Sequence, residues 1–374
     1  MGVAEGMWKE IYAGRAPSAA ALEAIVDADA PVYSRAQTSV LGERLGADVL
    51  GAGPLQGVIE IEGVTDVLVN GCDGVWIDRG EGLEEVGVDL GDAEAVRRLA
   101  VRLAAVAGRR LDDASPFVDA VLPGGARLHA LLPPLVEGAA HLSLRVPASE
   151  RPLLEDLVRL GSVSPEVESL LTRLVTSRTA FVVSGGTGTG KTTLLGAMLA
   201  RVPISERILL VEDVRELSVA HPHVVRLEAR RPNVEGVGEV SLTTLVRQSL
   251  RMRPDRIVVG EVRGAEVREL MSALNTGHQG GCGTVHANAP RDVPARFEAL
   301  GALAGLSPEA VRTQLRSALR VVVHLERSGG LRRVGSIGVL DGDHRGLTVR
   351  SAWRGGRRGE AWDELGALMD GAAS

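Results

Sequence analysis

Residues 182–199, VVSGGTGTGKTTLLGAML, join an apolar strand-like run to an apolar helix-like run through a glycine-rich turn, with a single lysine where turn meets helix. Four glycines within six residues would weaken any regular element, so the turn exists for what its backbone can approach. Gly185 to Thr192 satisfy G-x-x-x-x-G-K-[ST], and a strand before and a helix after are the context in which that spacing has a mechanism. The backbone N–H groups of Gly185, Gly186, Thr187, Gly188, Thr189 and Gly190 converge on phosphate oxygens, and the helix N-terminus adds partial positive charge. In such a turn Lys191 would reach the β- and γ-phosphates and Thr192 can ligate Mg²⁺, with Thr193 following it in the cradle. ATP and Mg²⁺ are therefore the expected cofactors.

The lysine stands out against the rest of the chain. Lysine occurs only at Lys9 and Lys191, and arginine supplies all but two of the 42 basic residues. A chain that otherwise uses the planar guanidinium keeps a compact ammonium in this turn, either because the turn requires it or by chance.

A chain of 374 residues, 45% hydrophobic, exceeds what one core usually organises, so two domains are expected. The formal net charge of −6 speaks against a nucleic-acid surface. Two cysteines, Cys72 and Cys282, are too few for a disulfide framework or a structural zinc site. The first 30 residues lack the pattern of a signal peptide, and no apolar run approaches bilayer length. A cytoplasmic protein is expected.

Residues 1–50 read as an alanine-rich helical extension. From Val58 short β-like runs, VIEIEGVTDVLVN and GVWIDR, lead into the amphipathic stretch DAEAVRRLAVRLAAVAGRR and a second strand pair, DAVLPGGARLHALLPP with HLSLRVP. These make an α/β domain over 51–147. A linker with one short helix spans 148–164, and Ser164-Pro165 caps the next helix. Over 165–342 strands and helices alternate (AFVVS, RILLVED, RIVVGEVR and GCGTVHA between helical stretches), which predicts a largely parallel sheet covered by helices. RVVVHLERSGGLRRVGSIGVL reads as a hairpin turning at Gly329-Gly330, and 343–374 is left as a polar, glycine-rich tail.

Carboxylates recur at strand ends. RIVVGEVRG puts Glu261 beside the phosphate turn if the two strands are neighbours, where it would hold Mg²⁺ through water or orient the attacking water. ILLVED ends in Glu212 and Asp213, and Glu216 follows three residues later; one of the three polarises the nucleophilic water, unless Glu212 and Asp213 merely end the strand and cap the next turn. TGHQGGCGTVHAN flanks a glycine-rich turn with His278 and His286, both of which could face phosphate. Arg226 to Arg263 contain eight arginines against five acids, a basic stretch that suits phosphate, an acidic neighbour or plain solvated helix faces.

Taken in order, SGGTGTGKTTLL, ILLVEDVREL, RIVVGEVRG and TGHQGGCGTVHAN resemble the Walker A, Asp box, Walker B and His box of the type II/type IV secretion ATPase superfamily. Within it, VVRLEARRPNVEGVGEVSLTTLVRQSLRMRPDRIVVGEVRG is most similar to the CpaF-like ATPases of Tad (Flp) pilus systems, and VTDVLVNGCDGVWIDR and GGARLHALLPP fit as well. The resemblance implies a RecA-like P-loop core behind a smaller N-terminal α/β domain, assembled as a homo-hexamer at the inner face of the cell membrane. ATP would sit between the two domains, and domain closure would move an inner-membrane platform protein.

It further implies that Glu216 is the catalytic glutamate, that Glu261 belongs to Walker B and His278 and His286 to the His box, and that Arg127 and Arg145 reach the γ-phosphate from the N-terminal domain. A planar guanidinium supplied on closure suits a transferring phosphoryl group. The four-cysteine zinc insertion of the type II branch is missing, which implies no structural zinc. Two other readings stay open: a conjugative type IV secretion ATPase, and a nucleotide-gated scaffold with little turnover.

Overall fold

The computed structural model describes residues 51–371 apart from 81, 148–151, 231, 233–236, 278 and 329. The predicted extension over 1–50 and the start of the predicted linker lie outside the described residues. The chain divides into two compact units between Ser149 and Glu150.

The first unit is one antiparallel sheet with a helix on it. Strands β1 (Asp66–Asn70), β2 (Val75–Asp78), β3 (Leu83–Val86), β4 (Phe117–Val121), β5 (Arg127–Leu131) and β6 (His141–Arg145) lie in the order β3-β2-β1-β6-β5-β4. In β5 and β6 buried residues alternate with more exposed ones, as a sheet with one covered face requires. After a single helical turn, α1 (Gln56–Ile59), the covering helix is α2 (Ala93–Val106). Asp92 caps it by accepting from Ala95 N at 2.8 Å. Val96, Leu99, Ala100 and Leu103, spaced for one helical face, join Leu128, Leu142 and Leu144 of the sheet in one core. The β-like run expected from Val58 begins only at Asp66. Leu55 and Val58, three apart, are buried across α1 instead, and period three overrides the apparent alternation of VIEIE.

The second unit holds β7 (Phe181–Gly185), β8 (Ile208–Glu212), β9 (Val224–Glu228), β10 (Arg256–Val259), β11 (Cys282–His286), β12 (Val321–Ser328), β13 (Leu331–Asp343), β14 (Gly346–Arg354) and β15 (Arg357–Arg358), in the order β15-β14-β13-β12-β7-β11-β10-β8-β9. From β12 to β9 every pairing is parallel; β13 to β15 extend the sheet antiparallel. Every residue of β7, β8 and β10 is buried, because helices cover both faces. On one face α3 (Leu154–Arg159), α4 (Pro165–Thr176), α5 (Lys191–Leu199) and, later in the chain, α10 (Trp362–Gly371) share a core with Phe181, Val183 and Leu210. On the other, α6 (Leu242–Ser249), α7 (Glu266–Asn275), α8 (Val293–Leu303) and α9 (Pro308–Ala318) pack on Val182, Val211 and Val259.

Ser164 caps α4 through Val167 N, with Pro165 in its first turn, as the sequence predicts. The boundary expected at 342 falls inside β13. Beyond it the chain turns at His344-Arg345 into β14 and closes with α10, whose Leu365 and Met369 enter the first core. Charged residues on the open side of these strands hid the few apolar ones that anchor them.

Candidate active site

The parallel strands β7, β11, β10 and β8 end at one edge of the sheet, and their C-terminal ends carry the candidate residues. Such edges are where parallel sheets bind ligands. β7 runs into the glycine turn, and Gly190, with φ of +90°, caps α5 in a conformation that glycine adopts without strain. Thr189 Oγ1 donates to Gly186 O at 2.9 Å, and Lys191 Nζ donates to the same oxygen at 2.8 Å. Thr187 and Gly188 are exposed at the tip of the turn, and Thr192 and Thr193 stand in the first turn of α5.

Lys191 is only 7% exposed. Burial lowers the pKa of its ammonium, and the carboxylates of Glu261 and Glu216 oppose that shift. Its Nζ lies 3.4 Å from His286 Nδ1 and 3.5 Å from Nε2, and His286 Nε2 lies 2.8 Å from Glu261 Oε1. Burial and then the Lys191 charge hold the imidazole below its ordinary pKa, against the pull of Glu261. A neutral ring with its proton on Nε2 donates to Glu261 and offers Nδ1 to the ammonium, an assignment that follows from the hydrogen-bond network. Lys191, His286 and Glu261 thus form a cation–imidazole–carboxylate chain across three strand ends.

The strand order corrects one expectation. β7 and β10 are not neighbours, because β11 lies between them. Glu261 meets the phosphate turn through His286, the last residue of that intervening strand.

The carboxylates around β8 separate into holders and a free group. Glu212 is 4% exposed and accepts from Glu216 N at 3.0 Å and Leu217 N at 2.7 Å. Burial raises its pKa against those bonds and the charge of Arg226. Gly260 lets β10 pass close by: a Cβ there would stand 2.9 Å from Glu212 Cγ. Asp213 pairs with Arg263. Glu216 is exposed and faces the field of Lys191.

His278 lies outside the described residues. Its neighbours Gln279 and Gly280 precede β11 and so stand at the opposite end of that strand from His286. There Gly280 O accepts from the buried Arg256 at 3.4 Å. Arg127 and Arg145 belong to the first unit, directly opposite each other on β5 and β6, and Asp119 holds Arg127 through both oxygens at 3.2 and 3.1 Å. Cys282 is buried, which pushes its thiol pKa up to about 12. Among the described residues no group of three or more His, Cys, Asp or Glu could hold a metal ion, and no helix is long and apolar enough to cross a membrane.

One polar contact at the site was not foreseen. His324 on β12 is 6% exposed, and its Nδ1 lies 2.9 Å from Oγ of Ser184, the residue before the turn. A histidine interrupting the apolar run VVVHL was the available signal.

Comparisons with known proteins agree with this architecture. The family model described as type II/IV secretion system protein matches residues 48–331. A putative conjugal transfer protein of Mycobacterium tuberculosis is 53% identical over 339 residues, covering 87% of this chain and 94% of its own length. The type IV secretion system protein VirB11 of Brucella suis is 30% identical over 307 residues, covering 73% and 83%. Among solved structures, the pilus retraction motor PilT with bound ADP aligns with a TM-score of 0.54 and 20% identity, over 83% of each chain, a likeness of fold: a RecA-like P-loop core with an N-terminal domain.

Proposed function

The chain belongs to the type II/IV secretion system protein family, and on that premise we propose that it hydrolyses ATP as a hexameric motor that drives Tad or type IV-like pilus assembly through an inner-membrane platform protein. The observation that carries the reading is the Lys191–His286–Glu261 chain beside an exposed Glu216. A site that only stored a nucleotide would need the lysine but not the two carboxylates.

In this reading the amides of 185–190 and Lys191 hold the triphosphate. Thr192, and Glu261 through water, would hold Mg²⁺; both offer the hard oxygen donors that Mg²⁺ prefers. When bound, Mg²⁺ would supply positive charge against the phosphates. Glu216 accepts the proton of the attacking water. His286 fixes the Glu261 carboxylate and is placed to register the γ-phosphate through Lys191. Arg127 and Arg145 add positive charge from the first unit when the two units close.

A conjugative type IV secretion ATPase is the second reading, favoured by the conjugal transfer name of the mycobacterial relative. Genes for prepilins and small membrane platform proteins next door would favour the pilus motor.

The test is steady-state ATP hydrolysis by wild type and Glu216→Gln, with the solution mass of each measured with and without Mg-ATP. A hexamer that turns over, and a variant that keeps nucleotide while losing about a hundredfold or more in rate, support the motor. A non-hydrolysing monomer or dimer that still binds ATP would replace it with the gated scaffold.

A further inference from the structure

The tip of the β12–β13 hairpin carries charge that the described chain does not neutralise. Glu326 stands opposite Arg333 in the antiparallel register, and Arg327 stands opposite Arg332. Opposed residues share a face of the ladder. The first couple is an ion pair, with Arg333 3.0 Å from Glu326 Oε1. The second sets two exposed arginines opposite each other on neighbouring strands, a like-charge pairing that costs stability. Among the described residues neither Arg327 nor Arg332 forms an ion pair or hydrogen bond through its side chain.

The face these two arginines share is the one that meets α5. Leu325 and Val334, two residues further along each strand, lie in the core with Leu194 and Leu195 of that helix. Arg332 Cδ lies 3.8 Å from where a Cβ on Gly190 would stand, and Gly190 is the residue before Lys191.

Strand order identifies which part of a nucleotide would arrive there. The Lys191–His286–Glu261 chain runs from β7 toward β11 and β10, whereas β12 is the neighbour on the other side of β7. A nucleotide with its terminal phosphate at that chain directs its α-phosphate and nucleoside toward the hairpin. We propose that Arg332, with Arg327 beside it, binds the α-phosphate of the nucleotide from the β12–β13 hairpin. The uncompensated pair then finds its counter-charge in the ligand. The inference rests on the phosphate turn taking a nucleotide, as argued above.

The experiment is calorimetric titration of ADP and of GDP, without Mg²⁺ and at two salt concentrations, into wild type, Arg332→Gln, Arg332→Lys, Arg327→Gln and Lys191→Ala. Arg332 is exposed and stands opposite a like charge, so its variants should melt no lower than wild type. Arg332→Gln should weaken ADP and GDP alike by about tenfold, the worth of one hydrogen bond to a charged group, with a shallower dependence on salt. Arg332→Lys should recover part of the loss and Arg327→Gln should lose less. Wild-type affinity and salt dependence in Arg332→Gln overturn the proposal, and so does a loss confined to ADP, which would mark a contact with the base. A wild type that binds neither nucleotide, like Lys191→Ala, would instead sink the nucleotide reading and this inference with it.

Discussion

The two sheets of this chain treat charge in opposite ways. In the antiparallel sheet of the first unit the period of two sends polar residues to one face, and ion pairs form locally: Arg127 of β5 with Asp119 of β4, and Arg79, just past β2, with Glu84 of β3. In the parallel sheet of the second unit both faces are covered and β7, β8 and β10 are buried throughout. At its C-terminal edge Lys191, His286 and Glu261 come together from the ends of three neighbouring strands and the turns that follow them. A sheet covered on one face disperses charge, whereas one covered on both concentrates it at an edge, and concentrated charge in a half-buried place is what chemistry on phosphates uses.

The largest expected effect tests that concentration directly. Lys191→Ala removes the cation that meets His286 and faces the charges of Glu261 and Glu216, and ATP hydrolysis should fall by about a thousandfold or more. A coupled-enzyme phosphate-release assay checks it, with thermal melting to confirm that the fold survives. Hydrolysis within a few-fold of wild type would mean that the edge of the second sheet is not the site.

The next effect asks whether the first sheet is only a scaffold. Arg127→Ala should lower kcat by about a hundredfold while ATP binding, followed with a fluorescent analogue, stays near wild type. Asp119→Asn loosens the guanidinium instead of removing it and should cost far less. Full turnover in Arg127→Ala would sharpen the contrast, leaving the chemistry wholly within the second unit.

What was legible in the sequence follows the same division. The glycine turn, its lysine and the strand-end acids are local patterns, and each was readable because the chemistry fixes residue type and spacing within a few positions. Strand order is not local. Nothing in RIVVGEVRG says that β11 will lie between it and the phosphate turn, so the link through His286 emerged only from the sheet. Likewise β14 and α10 read as a tail because they bury few residues each, Ala352, Trp353, Leu365 and Met369, against a charged remainder. Glu212 and Asp213 looked equivalent to Glu216; the fold separates them by giving the first two partners and leaving the third exposed.

The smallest effect concerns pH and again belongs to the covered sheet. Burial holds the pKa of His324 below its ordinary value, with the charges of Glu326 and Asp292 opposing and that of Arg354 assisting. A histidine depressed in the folded state binds its proton more readily when unfolded, so protonation favours unfolding. Stability from this group is whole above the ordinary histidine pKa of about 6.5 and is lost as pH falls from there through the lowered folded-state value. Replacing it as His324→Gln, which keeps a polar partner for Ser184, should flatten the fall in Tm between about pH 7 and pH 5. Each kcal/mol would appear as about 2–4 °C in a unit of this size. Differential scanning calorimetry across that range checks it, and an unchanged slope in the variant would show that the proton taken up on unfolding goes elsewhere, with His286, also depressed, the next group to replace.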